Sequence, residues 1–134
     1  MKPARQPIDG VLLLNMPVGI TSNAALQKAK WLLNAKKAGR TGTLDPFATG
    51  LLPLCLGEAT KIAQFLNTAD KRYAGVIQLG SATDTGDRTG APVRGAPVPD
   101  LAAVDLAALA LRFLGERLQT PPMYSALKRA GVPL

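Results

Sequence analysis

Ala38-Gly39-Arg40-Thr41-Gly42-Thr43-Leu44-Asp45-Pro46-Phe47-Ala48-Thr49-Gly50 is the stretch on which the reading of this chain turns. It has no hydrophobic period, and Gly39, Gly42, Pro46 and Gly50 punctuate it, so Lys36 to Gly50 reads as a loop. A loop of that length inside a compact domain is often functional. It holds one carboxylate, Asp45, just after the basic residues Lys36, Lys37 and Arg40.

The flanks of the loop set the fold class. Upstream, Leu26, Ala29 and Leu33 recur at helical spacing with Lys28 and Lys30 outside the stripe, which predicts a helix over 23–35. Thr21, Ser22 and Asn23 are all suitable N-caps for it. Further upstream, Val11-Leu12-Leu13-Leu14 reads as a buried strand that turns at Asn15 to Gly19. Downstream, Leu51 to Leu56 reads as a buried strand with Pro53 at an irregularity and Cys55 as a small hydrophobe. Residues 58–67 can form a helix burying Ala59, Ile62, Ala63 and Leu66, and 72–79 alternates well enough for another strand. Asp84-Thr85-Gly86-Asp87 is turn chemistry, and 91–99 looks like an exposed connection. Asp100 can cap a helix burying Leu101, Val104, Ala108 and Leu111, ended by Gly115. Pro121-Pro122 and 123–127 suggest a turn and a further strand. Strands and helices interleave, so the class is α/β or mixed α+β, and 134 residues fit one domain.

Totals narrow the chemistry. The hydrophobic share of 47% supports a packed core rather than a disordered tail. The net charge is +7, and seven of the 16 Lys and Arg fall in residues 1–40, where Asp9 is the sole acid. Basic charge gathered near one end suits a polyanionic partner such as nucleic acid, and it equally suits a solvated helix face. With no His, Ser-His-Asp and Cys-His catalysis and His metal sites are excluded. One Cys makes neither an intramolecular disulfide nor a thiolate zinc site. The N-terminus is polar and no run of 18 apolar residues occurs, so a cytoplasmic protein without a membrane span is expected.

Spacing alone leaves two readings of Asp45. It is a turn residue before Pro46, where the chain is held out of the helical region, or it is a nucleophile. An ordinary aspartate ionises near pH 3.9 and so needs no partner base, which suits a protein without His. Lys36, Lys37 and Arg40 likewise either meet phosphates or are simply solvated.

The segment from Lys36 to Gly50 resembles the signature of TruB-type tRNA pseudouridine synthases, which convert a T-loop uridine of tRNA (conventionally position 55) to pseudouridine. Further segments resemble that family in the same order: Gly10 to Leu14, Pro17 to Ser22, Leu56 to Lys61, Asp70 to Tyr73, Thr83 to Asp87 and Pro122 to Lys128. The resemblance implies a mixed α/β catalytic fold built round a largely antiparallel sheet. It implies that Asp45 is the catalytic aspartate and that Tyr73 is the aromatic that stacks on the target base. The alternative for Tyr73 is an ordinary strand tyrosine with its ring in the core. Arg40, Lys36, Lys37 and Lys61 become candidate tRNA-binding residues, with loop support the other role open to Lys61. The reaction needs no metal and no organic cofactor, and the expected partner is the T-arm of tRNA, bound by a monomer.

Three departures accompany the resemblance. Arg40 stands where the family usually has His, and Met16 where it usually has Lys. The sequence ends at Gly131-Val132-Pro133-Leu134, which in the family lies inside the catalytic domain. Residues 1–134 are therefore expected to be its N-terminal portion, without the later catalytic strands and the small RNA-binding domain. A non-catalytic tRNA-binding or inactive fragment of such an enzyme is the alternative function.

Overall fold

The computed structural model describes residues 4–120 and, as backbone, 128–129 and 132–133. The expected turn at Pro121-Pro122 and the strand over 123–127 lie outside the described residues. The chain divides into two compact units, Met1–Tyr73 and Ala74–Leu134.

The first unit is a three-stranded antiparallel sheet with a helix against one face. Its strands are β1 (Gly10–Met16), β2 (Ala38–Arg40) and β3 (Gly50–Leu56), in the order β1-β3-β2. Register runs from Gly10↔Leu56 to Met16↔Gly50 on one side of β3, and from Ala38↔Leu56 to Arg40↔Leu54 on the other. A strand's side chains alternate between faces. In β1, Leu12, Leu14 and Met16 therefore turn inward, while Val11 and Leu13 remain exposed. Helix α1 (Ser22–Leu32) supplies Ala25, Leu26 and Ala29 to the other side of the core, against Met16, Leu52 and Leu54. Ile20, Ala38 and Leu44 pack onto the same cluster. Burying large aliphatic side chains is worth roughly 1.5–3 kcal/mol each, and this cluster anchors the unit.

Helix α1 starts where Thr21 Oγ1 accepts a hydrogen bond from Ala24 N at 3.1 Å. It ends as Asn34 adopts φ 50°, with Leu33 at the C-cap and outside the buried stripe. Residues 4–8 form a strap over that end. Arg5 donates to the carbonyls of Lys30 (3.2 Å) and Ala35 (3.3 Å), a cation at the negative pole of the helix. Gln6 N donates to Asn34 O, and Lys36 N donates to Gln6 O, each at 2.8 Å.

Several elements differ from the sequence expectation. Residues 38–40, read as loop, form β2. The expected helix over 58–67 is a 3-10 segment, Gly57–Ile62, followed by α2 (Ala63–Asn67), and neither has a buried residue. The expected strand over 72–79 has no regular structure, and Val76 and Ile77 are 99% and 86% exposed. Strand propensity is expressed only beside a pairing partner, and no described strand pairs with 72–79.

In the second unit, β4 (Ser81–Thr83) pairs antiparallel with β5 (Pro92–Gly95), so part of the expected connection over 91–99 is strand. Asp84 and Asp87 close the turn between them: Asp84 accepts from Ala91 N (2.8 Å), and Asp87 accepts from Thr89 N (2.7 Å) and Thr85 Oγ1 (2.9 Å). The helix expected after Asp100 is split. Asp100 caps a 3-10 turn (Leu101–Ala103), and Asp105 caps α3 (Leu106–Leu111). Leu101 and Leu111 stay exposed, so this segment has no buried stripe. Strands β6 (Lys128–Arg129) and β7 (Val132–Pro133) pair antiparallel. Mixed helix and antiparallel sheet is thus the fold class.

Candidate active-site loop

Residues 41–49 connect β2 to β3, so the sheet itself brings the ends of the loop together. At the β2 end, Thr41 is buried, and its N and Oγ1 both donate to Pro53 O, at 3.1 and 3.3 Å. Arg40 turns back on the loop, its Nη1 donating to Gly42 O and Thr43 Oγ1. The guanidinium is thereby committed to backbone and hydroxyl groups of the loop, not to Asp45.

The middle of the loop is held from a second direction. Leu44 packs on the core, while its backbone meets Ser22: Ser22 Oγ donates to Leu44 O at 2.8 Å and accepts from Leu44 N at 2.8 Å. Ser22 Oγ also lies 3.5 Å from Met16 Sδ. On the other side of Asp45, Gly19 N donates to Pro46 O at 2.7 Å. Gly19 has φ +91°, a conformation costly for a residue with a Cβ. Asp45 itself closes a turn, its carbonyl accepting from Ala48 N at 3.0 Å, and its side chain is exposed. Among the described residues the Asp45 carboxylate has no hydrogen bond or ion pair.

A second group forms round the first turn of the 3-10 segment. Gly57 N donates to Lys37 O at 3.0 Å, and Glu58 N donates to Asp9 Oδ1 at 2.6 Å. Lys61 pairs with Glu58 on the surface. The hydrogen bond and charge of Lys61 hold the Glu58 carboxyl below the ordinary carboxylate range, with help from Lys37, and Glu58 raises the Lys61 ammonium in return. The Gly57–Lys37 bond sets the Lys37 backbone against the start of the segment that carries Lys61. Asp9, which gave no signal in the sequence, secures that junction from β1's leading edge. Lys36 is exposed beside Lys37. Tyr73 is 72% exposed, so its ring is not in the core. No hydrogen bond or ring contact among the described residues ties it to either group. Among the described residues, no three His, Cys, Asp or Glu come together to hold a metal ion, and no helix is long and apolar enough to cross a membrane.

The family model described as TruB family pseudouridylate synthase (N terminal domain) matches residues 30–134. The tRNA pseudouridine synthase B of Thiobacillus denitrificans is 65% identical over 134 residues, which is 100% of this chain and 45% of that protein. That of Hydrogenovibrio crunogenus is 56% identical over 129 residues, 96% of this chain and 43% of that protein. The chain thus spans less than half the length of these curated relatives. Among solved structures, a chain of a Cbf5-Nop10-Gar1 complex superposes with a TM-score of 0.57 at 29% identity, covering 90% of this chain and 31% of that one.

Proposed function

Because this chain belongs to the TruB family of pseudouridylate synthases, we propose that it provides the nucleophile of a tRNA uridine-to-pseudouridine isomerase and that Asp45 is that nucleophile. The observation that carries the reading is the Asp45 loop. An exposed carboxylate, without a hydrogen-bond partner among the described residues, sits between two residues, Leu44 and Pro46, whose backbones are both hydrogen-bonded. Nucleophilic catalysis needs a charged oxygen accessible to substrate on a support that does not drift, and this loop meets both conditions.

In this reading the T-loop uridine at position 55 is extruded from its stack, at a cost of a few kcal/mol. Stacking on the exposed Tyr73 ring returns roughly 1–3 kcal/mol. Asp45 attacks at the sugar or the base. The bond between ribose and uracil nitrogen breaks and the uracil turns. A carbon of the base then bonds to the ribose as the bond to Asp45 is released, and that carbon gives up its proton while the freed ring nitrogen gains one, so nothing is gained or lost overall. Atoms are conserved, so the step needs no redox partner, metal or organic cofactor. Lys36, Lys37 and Lys61 meet T-arm phosphates. Arg40 stiffens the loop and adds positive charge beside it. Residues 1–134 act as the N-terminal portion of the catalytic domain, in a monomer working in the cytoplasm. Arg40 in the place of the family's usual His favours one rival, tRNA binding without turnover.

The test is a chimera joining residues 1–134 to the remainder of the Thiobacillus denitrificans relative, incubated with a T-arm RNA and assayed for pseudouridine. Product is expected, and Asp45→Asn should abolish it while RNA affinity stays within about threefold, a change of about 0.65 kcal/mol. Product that survives Asp45→Asn refutes the nucleophile. Binding without product in the parent chimera selects the rival.

A further inference from the structure

We propose that Ser22 is a positioning residue for the reaction: its buried hydroxyl fixes the backbone of Leu44 and thereby the reach of the Asp45 carboxylate. The inference rests on the nucleophile assignment above and adds a residue that touches neither substrate nor Asp45 itself.

The geometry is specific. Ser22 is 1% exposed, yet it carries a hydroxyl. A buried hydroxyl is retained at a cost unless its hydrogen bonds are made. Both are made to one residue 22 positions away, as donor to Leu44 O and acceptor from Leu44 N. A single side-chain oxygen thus does what an adjacent strand would do for that peptide, and Leu44 lies in no strand. The neighbouring N-cap position does not explain Ser22, because Thr21 fills it.

The remaining contacts point the same way. Leu44's side chain packs on the core cluster, so its Cα is held by packing and its peptide by Ser22. Pro46 is held by Gly19 N at 2.7 Å. Both anchors come from one short segment, residues 19–22, and they bracket Asp45. The Asp45 side chain, with no bond of its own among the described residues, takes its aim from these two flanking peptides. Ser22 is in turn steadied by Met16, whose sulfur is 3.5 Å from the hydroxyl. Met16 is fully buried at the end of β1, so the clamp is referred back to the sheet.

Loss of the hydroxyl should therefore lower the chemical step more than binding. Misplacing a reacting group by about 1 Å can cost about 100-fold in rate, so Ser22→Ala in the chimera should lower kcat by about 10- to 100-fold with KM within about twofold. Thr21→Ala is the control: it removes the helix cap, destabilises α1 comparably and leaves Leu44 untouched, so kcat below the melting transition should not change. Amide exchange adds a readout independent of activity. Leu44 N–H should lose protection in Ser22→Ala and keep it in Thr21→Ala. Should Ser22→Ala not fold, Ser22→Cys keeps the shape with a weaker donor and reads the same two quantities. A kcat for the Ser22 variant equal to that of Thr21→Ala, or unchanged Leu44 protection, overturns the proposal. An inactive parent chimera would instead overturn the assigned function, and Leu44 exchange in the 134-residue chain would still decide whether the clamp exists.

Discussion

Gly57 provides the sharpest quantitative test of the packing. It has φ +55°, and a Cβ there would lie 2.0 Å from Asp9 Oδ1 and 2.5 Å from Ile8 O. The Asp9 carboxylate can rotate away, but the Ile8 carbonyl is backbone and cannot. Three costs follow for Gly57→Ala. The left-handed conformation costs roughly 1–2 kcal/mol for a residue with a Cβ. Displacing Asp9 sacrifices its bond to Glu58 N (2.6 Å), a net loss of roughly 0.5–1.5 kcal/mol at a solvent-facing site. Moving Ile8 strains the entry to β1. A total of about 2–4 kcal/mol follows, which for a unit of this size lowers Tm by about 10–25 °C. Thermal and urea denaturation of the chain, monitored by circular dichroism, measure it. Asp9→Ala supplies the internal check: with the carboxylate already gone, adding Gly57→Ala should cost about 1 kcal/mol less than in the parent. A Gly57→Ala variant within about 0.5 kcal/mol of the parent would refute the close approach. An equal cost in both backgrounds would remove Asp9 from the account.

Two further outcomes are expected. Hydrogen bonds from Thr89 and Thr85 hold the Asp87 carboxyl below its ordinary value. That bond set stabilises the turn fully at pH above the usual aspartate range, near 3.9, and the contribution is lost as pH falls through the lowered value. Protection of the Thr89 amide should therefore fade at acidic pH in the parent and be weak at all pH in Asp87→Asn; protection unchanged down to about pH 2 contradicts this. If Lys36 and Lys37 contact phosphates, replacing both by Ala should flatten the salt dependence of T-arm binding by about 1.5 in log–log slope. Lys61→Ala should act more weakly, because Glu58 already pairs with Lys61; a slope unaffected by all three would place the RNA elsewhere.

The parts of the fold that could be read in the sequence are those whose signal is local. Leu12 and Leu14 of β1, Leu52, Leu54 and Leu56 of β3, and Ala25, Leu26 and Ala29 of α1 turn apolar side chains to the core at regular spacing, and that pattern survives folding. Ala38-Gly39-Arg40 has no such pattern, and its strand state comes from pairing with β3. The alternation over 72–79 was a real local preference without a ladder beside it, so it produced no strand. The helix expected over 58–67 is bent to a 3-10 course at its start, where Asp9 and Lys37 O hold residues 57 and 58 from outside the segment. The site follows the same rule. Asp45 could be singled out as a candidate because its residue type and flanking glycines are local facts. Ser22 was legible only as one of three N-cap candidates, since nothing in residues 20–24 announces a bond to residue 44. Lys37 and Lys61 were separate candidates in the sequence, and only the bond from Gly57 N to Lys37 O shows that their segments meet.

The order of the first sheet has a consequence for biosynthesis. Its middle strand, β3, is the last of the three to leave the ribosome, and both neighbours depend on it for every ladder bond they make. A nascent chain that has not yet released Leu56 carries β1's leucines with nothing to zip onto, and closing that gap must bridge some 40 residues at once, which slows assembly. Pairing of β2 with the same strand draws residues 41–49 into their connection. A chain halted before β3 is released therefore lacks both the sheet and the frame of that loop.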